Sequence, residues 1–120
     1  MGNLKKKVLF IFRKAPYASS LTKETIDLLL VCGTFEQSVS VLWIEDGVFT
    51  LKKEQQDQQM KNVSKTFAAL PLYDITNCLI HDQALAQRGM TLTDCILPAE
   101  LISSIQIPEL IKIQDFIFTD

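Results

Sequence analysis

Apolar residues fall along this chain in short blocks, and two periodicities alternate between them. Positions 8–12 (Val-Leu-Phe-Ile-Phe) are continuously apolar and bounded by charge, the pattern of a strand buried on both faces. Pro16 ends the run, since proline cannot continue a ladder. Ser19 and Ser20 suit the cap of a following helix. That helix is expected to reach about Cys32. Leu21, Leu28 and Cys32 share one stripe, widened by Ile26, Leu29 and Leu30, so the helix should be largely covered. Gly33 suits the left-handed position that closes it. Positions 39–44 are rich in β-branched and aromatic residues and read as a second strand, with Asp46-Gly47 as the turn that follows.

Positions 52–59 carry four glutamines and no core residue, as a loop or a solvated helix start would. Beyond them Met60, Val63, Phe67 and Leu70 recur at steps of three and four, one apolar face of a helix that Pro71 ends. Cys78-Leu79-Ile80 predicts a third strand. Asp82 suits the cap of a short helix carrying Ala84 and Leu85, which Gly89 closes. Cys95-Ile96-Leu97 predicts a brief fourth strand. Pro108 fits the first turn of a last helix to about Ile113, and positions 116–118 predict a final strand. Strand and helix alternate throughout. The expected fold is therefore α/β, with three α/β/α layers around a mainly parallel five-stranded sheet and right-handed crossovers.

Length and composition narrow this picture. At 120 residues, with 48% hydrophobic and 22% charged positions, one domain spanning 1–120 is expected, with a core large enough to fold. The apolar surplus is compatible with an oligomer interface. The net charge is −2, so direct nucleic-acid binding is not expected. Lys5-Lys6-Lys7 reads as a solvated lead-in to the first strand, or as a weak contact for an acidic partner. No apolar run approaches the roughly 20 residues of a membrane span, and positions 8–12 are too short for a signal-peptide core; a cytoplasmic location without membrane contact is expected. Three widely spaced cysteines, Cys32, Cys78 and Cys95, do not form a disulfide framework and are expected to be reduced.

In a parallel sheet a site belongs outside the carboxyl ends of the strands, here 13–17, 45–49 and 81–82. There is no G-x-G-x-x-G, no Walker motif and no nucleophile elbow. Glu45 and Asp46 read as a solvated turn; a cation site would need Asp82 as a third carboxylate. Cys78-x-x-His81 is half of a metal site without a second pair of ligands nearby, and neither metal nor cofactor is expected. On a strand Cys78 and His81 point to opposite faces, so a catalytic pair would need a bend between them. Cys32 and Cys95 read as core. Cys78, nearest a functional edge, reads as a buried apolar side chain or as a reactive thiol.

Several of these blocks resemble one family. Arg13-Lys14-Ala15-Pro16-Tyr17, Trp43-Ile44-Glu45-Asp46-Gly47-Val48-Phe49, Leu72-Tyr73-Asp74-Ile75, Leu85-Ala86-Gln87-Arg88-Gly89-Met90 and Asp115-Phe116-Ile117-Phe118 are similar, in order and over nearly the whole chain, to DsrF/TusC-type subunits of the DsrE-like family. The resemblance implies a DsrE-like fold. It also implies a heterohexamer with DsrE/TusD-like and DsrH/TusB-like subunits, and indirect links to sulfur carriers of TusA and TusE type. Such complexes pass persulfide sulfur toward 2-thiouridine at the tRNA wobble position or serve intracellular sulfur oxidation. In TusD-type subunits the sulfur-carrying cysteine lies eight residues before the glycine of an Arg-Gly pair. The matching position here, counted back from Gly89, is His81, which cannot hold a persulfide. The resemblance therefore implies a subunit without a catalytic thiol, with Cys78 and His81 as the only candidates for a chemical role. Two other readings stand beside it: a sulfurtransferase using Cys78 as persulfide carrier, and a stand-alone small-ligand module with its pocket at the 13–17 and 45–49 loops. Arg13-Lys14-Ala15-Pro16-Tyr17 and Phe35-Glu36-Gln37 lean toward the DsrF side and the short length toward TusC; tRNA thiolation, the more widespread use, is the expected branch.

Overall fold

The computed structural model describes residues 5–15, 21–35 and 37–120. Five strands form one sheet: β1 (Lys7–Phe12), β2 (Ser38–Trp43), β3 (Asn77–His81), β4 (Glu100–Ile102) and β5 (Phe116–Thr119). Their order is β4-β3-β2-β1-β5, and all four ladders are parallel. The helices are α1 (Leu21–Thr34), α2 (Gln58–Ala68), α3 (Asp82–Gln87) and α4 (Ile107–Lys112), with 3-10 turns at Glu45–Leu51, Leu70–Tyr73 and Leu92–Asp94.

Connection handedness makes the two faces unequal. The steps β1→β2, β2→β3 and β3→β4 run one way across the sheet, so right-handed crossovers put α1, α2 and α3 on the same face. The step β4→β5 runs back across three strands and puts α4 on the other. Burial follows this division. The larger core joins Val8, Phe10 and Phe12 of β1, Val41 and Trp43 of β2, and Cys78 and Ile80 of β3 to Ile26 and Leu29 of α1, Phe67 of α2 and Leu85 of α3. At its centre Phe12, Trp43 and Phe67 pack with ring centroids 5.0–6.1 Å apart, within the range of favourable aromatic pairs. The smaller core holds the alternate residues Leu9, Ile11, Leu42, Leu79 and Ile102, with Ile44 and, from α4, Ile107 and Leu110 packed against them.

The structure corrects four local expectations. Gly33 lies inside α1 and is not in the left-handed region. A Cβ there would stand 2.8 Å from Ile75 Cδ1 and 3.2 Å from the Tyr73 carbonyl oxygen, so close packing against Tyr73 and Ile75 favours the glycine. Helix α1 is covered on one face only, through Thr22, Thr25, Ile26 and Leu29, while Leu21, Leu28 and Val31 are exposed. The Asp46-Gly47 turn extends into the 3-10 segment Glu45–Leu51. The fourth strand is Glu100–Ile102, not 95–97: Cys95 makes only an isolated antiparallel bridge to Lys52, and Cys95 and Leu97 close over the larger core instead. Gly89, at φ 68°, takes the left-handed position expected of it. The expected caps Ser19 and Ser20, together with Pro16, Tyr17 and Glu36, lie outside the described residues.

Candidate functional site

Where neighbouring strands send their connections to opposite faces, a crevice opens at the carboxyl rim. Strand β3 leads into α3 on the crowded face, and β4 leads toward α4 on the sparse one. The crevice therefore lies between the ends of β3 and β4. His81, the last residue of β3 and the N-cap position of α3, stands there. Asp82, expected as that cap, is instead the first helical residue; its Oδ1 accepts from the Gln83 N–H at 2.6 Å.

His81 Nε2 lies 2.7 Å from Ser104 Oγ, just past the end of β4. The Ser104 hydroxyl donates in turn to Gln83 Oε1 at 3.3 Å. In that arrangement Nε2 carries the ring proton and donates it, which leaves Nδ1 as an acceptor. Asp82 Oδ1, 4.0 Å from Nε2, is too far for a hydrogen bond. The imidazole is only partly covered, its side chain 18% exposed. Without a sulfur atom, it cannot carry persulfide.

Cys78 sits on the same strand but on the opposite face. It pairs in register with Val41, is 3% exposed, and belongs to the larger core. Its Sγ lies 3.9 Å from the Ile75 carbonyl oxygen. Burial pushes its thiol pKa up to about 11, so at neutral pH it is a thiol and not the nucleophilic thiolate. Burial raises the Cys32 pKa as well. It also raises that of Cys95, where Asp94 adds to the shift and Lys53 opposes it. No bend joins Cys78 to His81, and the structure does not bring them together. Nor, among the described residues, do three His, Cys, Asp or Glu side chains converge to hold a metal ion.

The other half of the rim is fastened. Glu45, at φ 50°, turns the chain out of β2, and Gly47 then lies so close to β1 that a Cβ would fall 2.0 Å from the Phe12 carbonyl oxygen. Arg13 approaches Glu45 at 4.0 Å. Its backbone N–H donates to Asp120 Oδ1 at 2.7 Å, and Thr22 Oγ1 donates to Asp120 Oδ2 at 2.8 Å. Arg88 reaches from the end of α3 to Asp46, with Nη2 at 3.0 Å and Nε at 3.1 Å from Oδ1. The same guanidinium lies 5.9 Å from the Phe49 ring centroid, a cation–π distance. Glu45, Asp46 and Asp82, the carboxylates a cation site would need, thus face Arg13, Arg88 and the Gln83 N–H respectively and do not form one site. Ser104, Gln83 and Asp120 carried no sequence signal of their own, and Arg88 was legible only as part of a quoted block.

The model of the DsrE/DsrF-like family matches residues 6–119. The chain belongs to the DsrE/DsrF-like family. It is 34% identical over 115 residues to Protein TusC of Buchnera aphidicola subsp. Baizongia pistaciae, covering 93% of this chain and 97% of that protein. It is 39% identical over 98 residues to a TusC homolog of Pasteurella multocida, covering 78% and 82%. Among solved structures, the fold is similar to the ychN protein from E. coli, with a TM-score of 0.81 at 16% identity, covering 98% of this chain and 100% of that one. It is also similar to a protein of unknown function from Methanobacterium thermoautotrophicum, with a TM-score of 0.63 at 14% identity over 97% and 99%. As a DsrE/DsrF-like protein, the chain uses its Glu45–Phe49 and Leu85–Met90 blocks against each other, joined by the Asp46–Arg88 pair. Among the described residues no helix is long and apolar enough to cross a membrane.

Proposed function

We propose that this chain is the non-catalytic subunit of a cytoplasmic sulfur-relay complex, a subunit that positions its partners while the persulfide travels on a thiol of another chain. The observation that carries this reading is the rim of β3. His81 occupies the crevice, and the strand's one thiol, Cys78, is turned into the opposite core with its pKa pushed up to about 11. The two TusC relatives favour the TusC branch over the DsrF branch. The sulfur is then destined for 2-thiouridine at the tRNA wobble position, with sulfur carriers of TusA and TusE type upstream and downstream.

The proposed partners are DsrE/TusD-like and DsrH/TusB-like subunits in a heterohexamer. Two apolar surfaces support burial against other chains. Around the β4→β5 connection Ile105 is 84% exposed and Ile113 is exposed; at the two sheet edges Leu101 of β4 and Phe116 of β5, on the face of the larger core, and Ile117, on the sparse face, are exposed as well. Outside α1, Leu28, Val31 and Phe35 are exposed, as is Leu72 at 85%. Patches of this kind on a small chain mark protein interfaces more often than free surface.

The test is co-expression with the two partner subunits, an offer of persulfide sulfur, and intact-subunit mass spectrometry. The expected result is a one-sulfur increment on the DsrE/TusD-like partner, with this chain present in equal amount and unmodified. An increment on this chain that Cys78→Ser abolishes overturns the non-catalytic reading and makes Cys78 a carrier. Absence of any complex overturns the account of its partners. For the tRNA branch, this chain should restore wobble 2-thiouridine in cells that lack TusC; assembly without restoration points to sulfur oxidation.

A further inference from the structure

The polar segment between the Glu45–Leu51 turn and α2 has a shape that the rim does not explain. A cleft of about 380 Å³ opens between this segment and the outer side of α2. Three lysines line it, Lys52, Lys61 and Lys65, together with Gln55 and Gln58. Glu54 is its one carboxylate. Three positive charges against one negative leave the lining at +2, in a chain whose net charge is −2. Gln58, Lys61 and Lys65 follow at steps of three and four along α2 and so share one face. Among the described residues none of these lysines forms an ion pair; the four pairs present involve Arg13, His81, Arg88 and Lys112.

The cleft is held in shape from within the chain. Gln55 Nε2 donates to the Phe49 carbonyl at 2.7 Å and to the Lys52 carbonyl at 2.8 Å. The Lys53 N–H donates to the Asp94 carbonyl at 2.9 Å, and the Ile96 N–H to the Leu51 carbonyl at 2.7 Å. Ser64 Oγ donates to the Thr50 carbonyl at 2.5 Å and ties α2 to the same turn. Asp57, the N-cap of α2, spends its Oδ1 on the Gln59 and Met60 N–H groups. Glu54 is held at φ 60°, a conformation that costs a non-glycine residue about 1 kcal/mol and persists only where its surroundings enforce it. A preformed cleft with unpaired charge loses little ordering entropy when a ligand of opposite sign enters.

The lining also says which anion it suits. It has no arginine fork to grip a phosphate bidentately and no aromatic ring on which a base could stack. It offers separated point charges on flexible aliphatic stems, with Ile96 beside them. Such a surface fits carboxylates spaced along a polypeptide, whose stems pack against those of the lysines. We propose that the Lys52–Lys61–Lys65 cleft docks an acidic segment of a partner protein. This inference does not depend on the sulfur-relay reading.

The test is amide NMR of the full chain, titrated with a capped hexaglutamate peptide and, separately, with a single-stranded hexauridylate. The expected result is a set of peptide-induced shifts confined to residues 52–65 and Ile96, with affinity that falls steeply as salt is raised. The triple variant K52Q/K61Q/K65Q, which removes the charges and keeps polar side chains, should bind the peptide about tenfold more weakly, the size of a ~1.4 kcal/mol loss. K52R/K61R/K65R should bind like the native chain. Neutralising Lys5, Lys6 and Lys7 should leave the affinity unchanged. All three cleft lysines are exposed, and the variant spectra themselves report whether the fold persists. Peptide shifts elsewhere, unchanged affinity in the glutamine variant, or tighter binding of the hexauridylate in the cleft would each overturn the proposal.

Discussion

At the carboxyl ends of β1, β2 and β5 the polar contacts centre on the buried Asp120 carboxylate and a close backbone approach, whereas at the ends of β3 and β4 His81, Gln83 and Ser104 bond to one another through exposed contacts. In the first half, Gly47 touches the Phe12 carbonyl, Asp120 gathers Arg13 and Thr22, and Asp46 holds Arg88. In the second, a 2.7 Å His81–Ser104 contact and a 3.3 Å Ser104–Gln83 contact span the crevice. The difference separates two tasks that one rim must perform. Buried contacts fix the geometry, and groups whose hydrogen bonds are exposed can exchange partners with water. The Glu45–Phe49 block, the most specific part of the family resemblance, belongs to the fastened half. Its residues hold the framework, and His81 stands across the rim.

The contrast breaks most readily at Gly47. A methyl group there would meet Phe12 O at 2.0 Å and Phe12 C at 2.6 Å, both backbone atoms that cannot rotate aside. Gly47→Ala should therefore push the Glu45–Leu51 turn away from β1 and cost about 3 kcal/mol or more, at the upper end of overpacking effects. Urea unfolding measures it. A loss below about 1 kcal/mol would mean that the turn floats and that the fastened half is not fastened by this contact.

Asp120 gives the next largest effect. Its carboxylate is buried, and removal leaves the Arg13 N–H and the Thr22 hydroxyl without their acceptor. Asp120→Ala should cost about 2 kcal/mol, the usual penalty for stranded buried donors near a charged acceptor. Asp120→Asn, which keeps one carbonyl acceptor, should cost less. Equal losses in the two variants would show that the residue acts through packing alone.

Much of this architecture was legible where burial leaves a pattern. Strands β1, β2 and β3 are short apolar runs because both of their faces are covered, and α2 shows a helical period because one face meets the core through Val63 and Phe67. Strand β4 was misplaced because it is an edge: of Glu100–Ile102 only Ile102 is buried. The apolar Cys95-Ile96-Leu97 is apolar for another reason, since it closes over the core without joining a ladder. Gly33 shows a related ambiguity, because a glycine needed for close approach looks the same in sequence as one needed for positive φ. The site was half legible. His81 could be placed at a strand end and matched to a family position. Ser104 could not, because it follows the strand that was misplaced. Asp120 meets Arg13 across 107 residues of chain, a pairing that only the assembled sheet creates.

The smallest effects sharpen the comparison furthest, because they separate stability from chemistry. The Asp46–Arg88 pair joins a side chain 60% exposed to one 21% exposed, so solvent screens it, and Asp46→Ala should cost only about 0.5–1 kcal/mol. His81→Ala should cost about 0.5 kcal/mol or less, since Ser104 is exposed, so water can replace the imidazole while the hydroxyl keeps its bond to Gln83. The order of the two should reverse in a relay assay on the assembled complex. If the open half serves the transfer, His81→Ala slows sulfur passage more than Asp46→Ala does, although it disturbs the fold less. A His81→Ala variant that loses several kcal/mol while passing sulfur at the native rate would assign the imidazole to the framework. The two halves of the rim would then differ in their bonding pattern and not in their task.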